Sequence, residues 1–172
     1  MRYHKWHTSD VFKIGTLIIL GLYFLHASLN PEKWIFLDGV NLIFHEAGHV
    51  LFMFFGQFLS ILGGSLTQIL IPMFIFLYFF LQKKYVSSSI VLFWLGQSFI
   101  NVSVYAGDAI TQSLPLLGGE SVLHDWHYLL STMGILQHTP LVSGIFFWTG
   151  IFIYFLAIFL GTYDVTKRKV YL

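Results

Sequence analysis

The stretch IFHEAGHVLF, residues 43–52, sets His45, Glu46 and His49 inside a run that is otherwise soluble in lipid. An ionisable side chain at the centre of a bilayer costs about 2.5–3.5 kcal/mol on insertion scales, so three polar side chains within five positions need compensating partners. The rest of the chain makes a bilayer the right frame. Of 172 residues, 56% are hydrophobic, 19% aromatic and only 10% charged, against about 25% charged in ordinary soluble domains. A formal net charge of +1 gives no reason to expect a nucleic-acid partner. Cysteine is absent, which excludes disulfides and thiolate metal sites and leaves His, Asp and Glu as the available ligands.

Working outward, apolar runs bounded by polar residues, Gly or Pro fall at Gly15–Leu29, Trp34–Ser60, Leu62–Leu81, Val86–Gln112, Ser121–Gln137 and Leu141–Thr162. A helix needs about 20 residues to cross the hydrocarbon, and backbone groups in lipid must be satisfied internally. The expected fold is therefore all-α: a polytopic transmembrane bundle of about six membrane segments, with membrane lipids as its surroundings. The fifth, SVLHDWHYLLSTMGILQ, either crosses or dips in and lies along the interface. Arg2, Lys5 and Lys13 precede the first run as in a signal peptide, but no small-residue cleavage pattern follows, so the first span is read as retained. Six crossings put Arg2, Lys5, Lys13, Lys167, Arg168 and Lys169 on one side and Lys33, Lys83 and Lys84 on the other. The positive-inside bias then places both termini in the cytoplasm.

On a helix, His45 and His49 stack on one face a turn apart, as two imidazoles must to share a tetrahedral zinc. Glu46 follows the first of them, where its carboxylate can reach a metal-bound water without being a ligand. Gly48 leaves room for a substrate or a neighbouring helix. Catalytic zinc usually takes three protein ligands. The order of preference for the third is His124, then Asp108, then Asp125, with His127 last; if His124 coordinates, Asp108 or Asp125 could orient an imidazole from behind. A bland reading of His124–His127 is an interfacial turn anchored by Trp126 and Tyr128. Gln97, Asn101, Tyr105, Asp108 and Gln112 recur at helical spacing as one polar stripe. Gln97 and Gln112 read as hydrogen-bonding glue between helices, and Asn101 or Tyr105 as donors to a developing oxyanion. At 1.5 Å per residue, a second span entering from the outer side carries His49 to about 22 Å, in the inner part of the bilayer, beside the loop that joins Asp108 to His124.

The HExxH helix in a transmembrane bundle resembles the site-2-protease-like intramembrane zinc metalloproteases and their small bacterial relatives. The resemblance is specific over His45, Glu46 and His49, which match the family's two histidines and glutamate. It implies one transmembrane metalloprotease-like domain over residues 1–172, zinc as cofactor, a bacterial inner membrane, and hydrolysis of a transmembrane or membrane-proximal peptide. The family's third ligand is an aspartate in an Asn-Pro-Asp-Gly or Leu-Asp-Gly motif on a later span. Here Leu37–Gly39 precedes the HEAGH, and Asp38 lies about 10 Å along the axis from His45. GDA at Gly107–Ala109 and HDWH at His124–His127 look like what some small relatives carry instead. The expected chemistry is water made acidic by zinc, with Glu46 as the base. The alternatives are a membrane zinc hydrolase acting on a lipid or other amide or ester, and a non-catalytic metal-binding protein. The glycines of SILGGSLTQ (60–68) and LLGGES (116–121) read as turns ahead of mobile gates. His4, His7, His26 and His138 read as interfacial residues.

Overall fold

The computed structural model describes residues 7–117 and 123–167. Among them all regular structure is helical: α1 (Thr8–Ser28), α2 (Phe36–Phe52), α3 (Gln57–Leu81), α4 (Tyr85–Gly107), α5 (Asp125–Thr132) and α6 (Thr139–Lys167), with single 3₁₀ turns at Met53–Phe55 and Leu136–His138. Four of the helices are long and apolar enough to cross a membrane, namely α1, α3, α4 and α6 with the 3₁₀ turn ahead of it. Among the described residues four helices, where six segments were expected, have the length and apolarity that a crossing needs. The second segment stops after 17 helical residues, where Gly56 at φ +89° turns the chain into α3, a backbone angle that glycine alone adopts without strain. The fifth is an eight-residue helix, about 12 Å long and too short to cross.

Side chains pair along the helices in a way that fixes their directions. Leu17 lies beside both Ser89 and Gly161, and Phe24 packs on Phe93 and Tyr154 at 5.6 and 5.5 Å. Helix α1 therefore runs parallel to α4 and antiparallel to α6. Asn41 bonds Trp94 and Ser98, and the His45 ring meets Tyr105 at 5.7 Å, so α2 also runs parallel to α4. The chain does not reverse between α1 and α2. One turn of direction that six crossings would require is missing, and two consequences follow. The Lys83–Lys84 turn joins α3 to α4 at the bundle end where α1 begins and α6 finishes. The end of α2, the start of α3 and the last turn of α4 meet at the opposite end, so His49 sits away from the termini rather than on their side.

Helix α2 shows why the opening stretch is tolerated. Its buried positions, Asp38, Asn41, His45 and Gly48, recur at steps of three, four and three and form one inward stripe. Phe36, Ile43, Val50 and Leu51 are exposed on the outside. Polar groups inside and apolar groups outside is the arrangement a lipid surround favours. The inward groups are paired: Asp38 accepts from the Ile35 backbone N–H at 2.9 Å and from the Gln97 amide at 2.7 Å, and Gln97 accepts from the Tyr154 hydroxyl at 2.7 Å. Gln97 is interhelical glue, as expected. Helix α3 closes onto α2 through glycines. A methyl on Gly48 would collide with the Gly63 carbonyl, and one on Gly63 would meet the Gly48 oxygen at 2.8 Å. Gly63 and Gly64 are thus neither a turn nor a gate but a close helix–helix contact. Gly118 and Gly119 lie outside the described residues.

Candidate metal centre

His45 and His49 come from the inward face of α2, and Asp125 is the first residue of α5. Nε2 of His45 is 2.8 Å from Asp125 Oδ2, and Nε2 of His49 is 3.2 Å from the same oxygen. One ligand atom from each residue lies within 4.8 Å of the others, so the three could hold a metal ion. Tetrahedral zinc with bonds of about 2.0–2.2 Å needs ligand atoms about 3.3–3.6 Å apart; the His49–Asp125 pair at 3.2 Å is near that spacing and the His45–Asp125 pair at 2.8 Å is shorter.

The opposite nitrogens settle which atoms are lone pairs. His49 Nδ1 is 3.0 Å from the Ser60 backbone carbonyl. A carbonyl only accepts, so Nδ1 carries the proton and Nε2 is the bare nitrogen. His45 Nδ1 is 3.0 Å from Gln68 Oε1. The Gln68 amide nitrogen donates to the Ser98 carbonyl and to Asn101 Oδ1, both at 3.2 Å, which orients the amide with its oxygen toward His45. His45 is therefore also protonated at Nδ1. Two lone pairs and a carboxylate oxygen converge with no donor between them. One proton would satisfy only one of the two imidazole contacts. Two protons would set two imidazolium rings 4.8 Å apart, centroid to centroid, beside a single carboxylate. A divalent cation satisfies all three acceptors, and ligating histidines characteristically donate their other N–H to a carbonyl in this way.

Asp125 takes the place expected of His124, and the start of α5 explains the exchange. His124 is the N-cap of that helix: its Nδ1 accepts the His127 backbone N–H at 3.2 Å. The remaining ring proton is then on Nε2, which is buried without a hydrogen bond and lies 3.3 Å from Asp108 Oδ2. Burial pushes His124 below the ordinary histidine range, which keeps it neutral. Asp125 is held in place from three sides. Its backbone N–H donates to the Tyr105 hydroxyl at 3.2 Å, Trp126 donates to Ser65 on α3 at 3.1 Å, and His127 Nδ1 meets the Ala109 carbonyl at 2.8 Å. His127 is thus an anchor rather than a ligand.

Asp108 is turned away from the two α2 histidines. It accepts from the Thr111 hydroxyl, the Ser113 N–H and hydroxyl, and the Leu114 N–H at 2.6–2.9 Å. The strong donors that a carboxylate at this depth requires come from its own loop. Gln112 lies in the same turn, exposed, at φ +49°, so the predicted stripe ends as an inward face at Tyr105.

No family model matches the chain, and no curated protein and no solved structure matches it. What the site can do is read from its own geometry.

A cavity of about 570 Å³ opens on the three ligands. Glu46 lines it together with Asn101 and Tyr105, and Leu42, Val102, Leu114 and Leu116 supply apolar wall. Glu46 is exposed to the cavity side of α2 while both histidines turn their nitrogens to Asp125. Tyr105 accepts from Asp125 N–H, which leaves its own hydroxyl proton for another acceptor. Asn101 accepts from Gln68 through its carbonyl oxygen, which points its side-chain N–H groups elsewhere as the donors it could offer. Gln68, which sequence reasoning passed over, is the residue that fixes the His45 tautomer. Its signal was present as a buried amide nineteen positions after His49 on a very apolar helix.

Proposed function

We propose that the chain is a zinc-dependent intramembrane metallopeptidase of a bacterial plasma membrane, with zinc held by His45, His49 and Asp125. The observation that carries this reading is the convergence of two Nδ1-protonated imidazoles and one carboxylate on a single point beside a cavity that also contains Glu46. Zinc supplies Lewis acidity there, lowering the pKa of water toward about 7 and polarising a carbonyl. The chain's own residues do the rest. Glu46 accepts the proton from the attacking water and returns it to the leaving amine. Tyr105, anchored through Asp125, offers its hydroxyl to the oxyanion as charge develops. The apolar wall excludes bulk water and receives a chain arriving from lipid.

Glu46→Gln tests the assignment. Metal content stays at the wild-type level while hydrolysis of a single-span peptide falls by about a hundredfold to ten-thousandfold, the usual contribution of a general base. Unchanged activity removes Glu46 from the mechanism. The apolar lining also favours a second reading, a lipid amide or ester hydrolase. Single-span peptides and lipid extracts offered in parallel to purified protein separate the two, and cleavage of lipid alone reverses the ranking.

Orientation follows from basic residues. Among the described residues Lys13, Lys83, Lys84 and Lys167 lie on elements that meet at the bundle end where α1 starts and α6 finishes, and Lys33 does not; in sequence, Arg2 and Lys5 precede α1 and Arg168 and Lys169 follow α6. By the positive-inside bias that end, with both termini, is cytoplasmic.

A further inference from the structure

The candidate metal centre and, among the described basic residues, all but Lys33 occupy opposite ends of the bundle. His49 bonds Ser60 in the first turn of α3, and Asp125 bonds Tyr105 in the last turn of α4, whereas the Lys83–Lys84 turn joins the other ends of the same two helices. The cavity is walled by the α1–α2 connection through Glu32 and Trp34 and by the segment after α4 through Leu114–Leu117. Its lining includes Glu32, Asp38 and Glu46 but neither lysine nor arginine. We infer that the centre works from the non-cytoplasmic side of the membrane, and that its substrates are membrane-anchored chains presenting the scissile carbonyl from that side.

The orientation stands on geometry and charge; only the substrate class rests on the hydrolase reading. Lys and Arg near span ends decide orientation while Asp and Glu contribute little, so the acidic cavity does not offset the basic end. A site opening to the cytoplasm would put Lys13, Lys83, Lys84 and Lys167, four of the five Lys and Arg among the described residues, toward the outer surface.

The chain has no cysteine, so single cysteines report without background. Leu117→Cys, at the exposed cavity rim, and Gln82→Cys, beside the lysine turn, are placed separately in the full chain and treated with a membrane-impermeant maleimide in intact spheroplasts. Position 117 is labelled in intact spheroplasts and position 82 only after lysis. The reverse pattern, or labelling of both positions before lysis, overturns the inference. Fusions after Leu172 make the same decision without a cysteine: a fluorescent protein is bright and alkaline phosphatase inactive, and an active phosphatase overturns it. A single-span peptide tagged on each flank then reports substrate geometry. Cleavage on the outer flank is expected, and cleavage confined to the inner flank contradicts the substrate class. If the labelling pattern holds while no peptide or lipid is cleaved, the hydrolase reading fails and the orientation stands.

Discussion

Gln68 reaches the candidate metal centre through its bond to His45, and it decides which nitrogen of that ring is bare. Gln68→Leu keeps the apolar volume of α3 and removes the acceptor for His45 Nδ1–H. Residues in this supporting role typically change metal affinity by about 10–100-fold, and a zinc titration against a competing chelator should show a loss of that size with helicity intact. The two histidines and Glu46 were legible because spacing on one helix is a local property, readable from positions 45, 46 and 49 alone. The third ligand was not. Asp is a far commoner N-cap than His, so residue preference favours Asp125 as the cap and His124 as the free imidazole. The structure reverses them: His124 Nδ1 caps the helix, and its Nε2 lies 3.3 Å from Asp108 Oδ2, sixteen positions earlier, a proximity no local pattern announces.

Helices α2 and α3 approach closely enough that the metal centre has a glycine floor. A methyl on Gly64 would stand 2.6 Å from His45 Nε2 and 2.8 Å from His49 Cε1. Gly64→Ala should therefore abolish stoichiometric zinc while leaving the bundle folded. Gly48→Ala drives a methyl into the Gly63 carbonyl and should cost about 1–3 kcal/mol in an unfolding titration, the usual range for overpacking. These glycines read as turn formers in sequence because glycine pairs usually punctuate; here an unbroken apolar run on both sides carries the helix through. Past the end of α4, burial alone would raise Asp108, but the donors from Thr111, Ser113 and Leu114 outweigh it and hold its carboxyl at about 2, below the ordinary 3.8. A folded value below the unfolded one stabilises at pH above the unfolded pKa and loses that contribution as pH falls through the folded one. Asp108→Ala should make the 108–114 loop more open to proteolysis by a margin that is constant from neutral pH to about 4 and closes toward pH 2.

At the scale of the whole molecule the described residues bury carboxylates, amides and imidazoles beside two apolar clusters and expose many phenylalanines, the reverse of a soluble domain's surface. Composition made the all-helical class legible, since a bilayer permits little else. The number of crossings was not, because hydropathy measures how apolar a run is and not whether the chain reverses between runs; α1 and α2 are separate apolar runs that point the same way. That one missing reversal also carried the site from the expected cytoplasmic side to the far end of the bundle. Through all of this the account turns on one convergence, and metal analysis of purified full-length protein tests it most directly. One zinc per chain is expected, lost in His45→Ala, His49→Ala and Asp125→Ala and kept in His124→Ala. Protein that binds no metal, or Asp125→Ala that retains it while His124→Ala does not, would contradict the account.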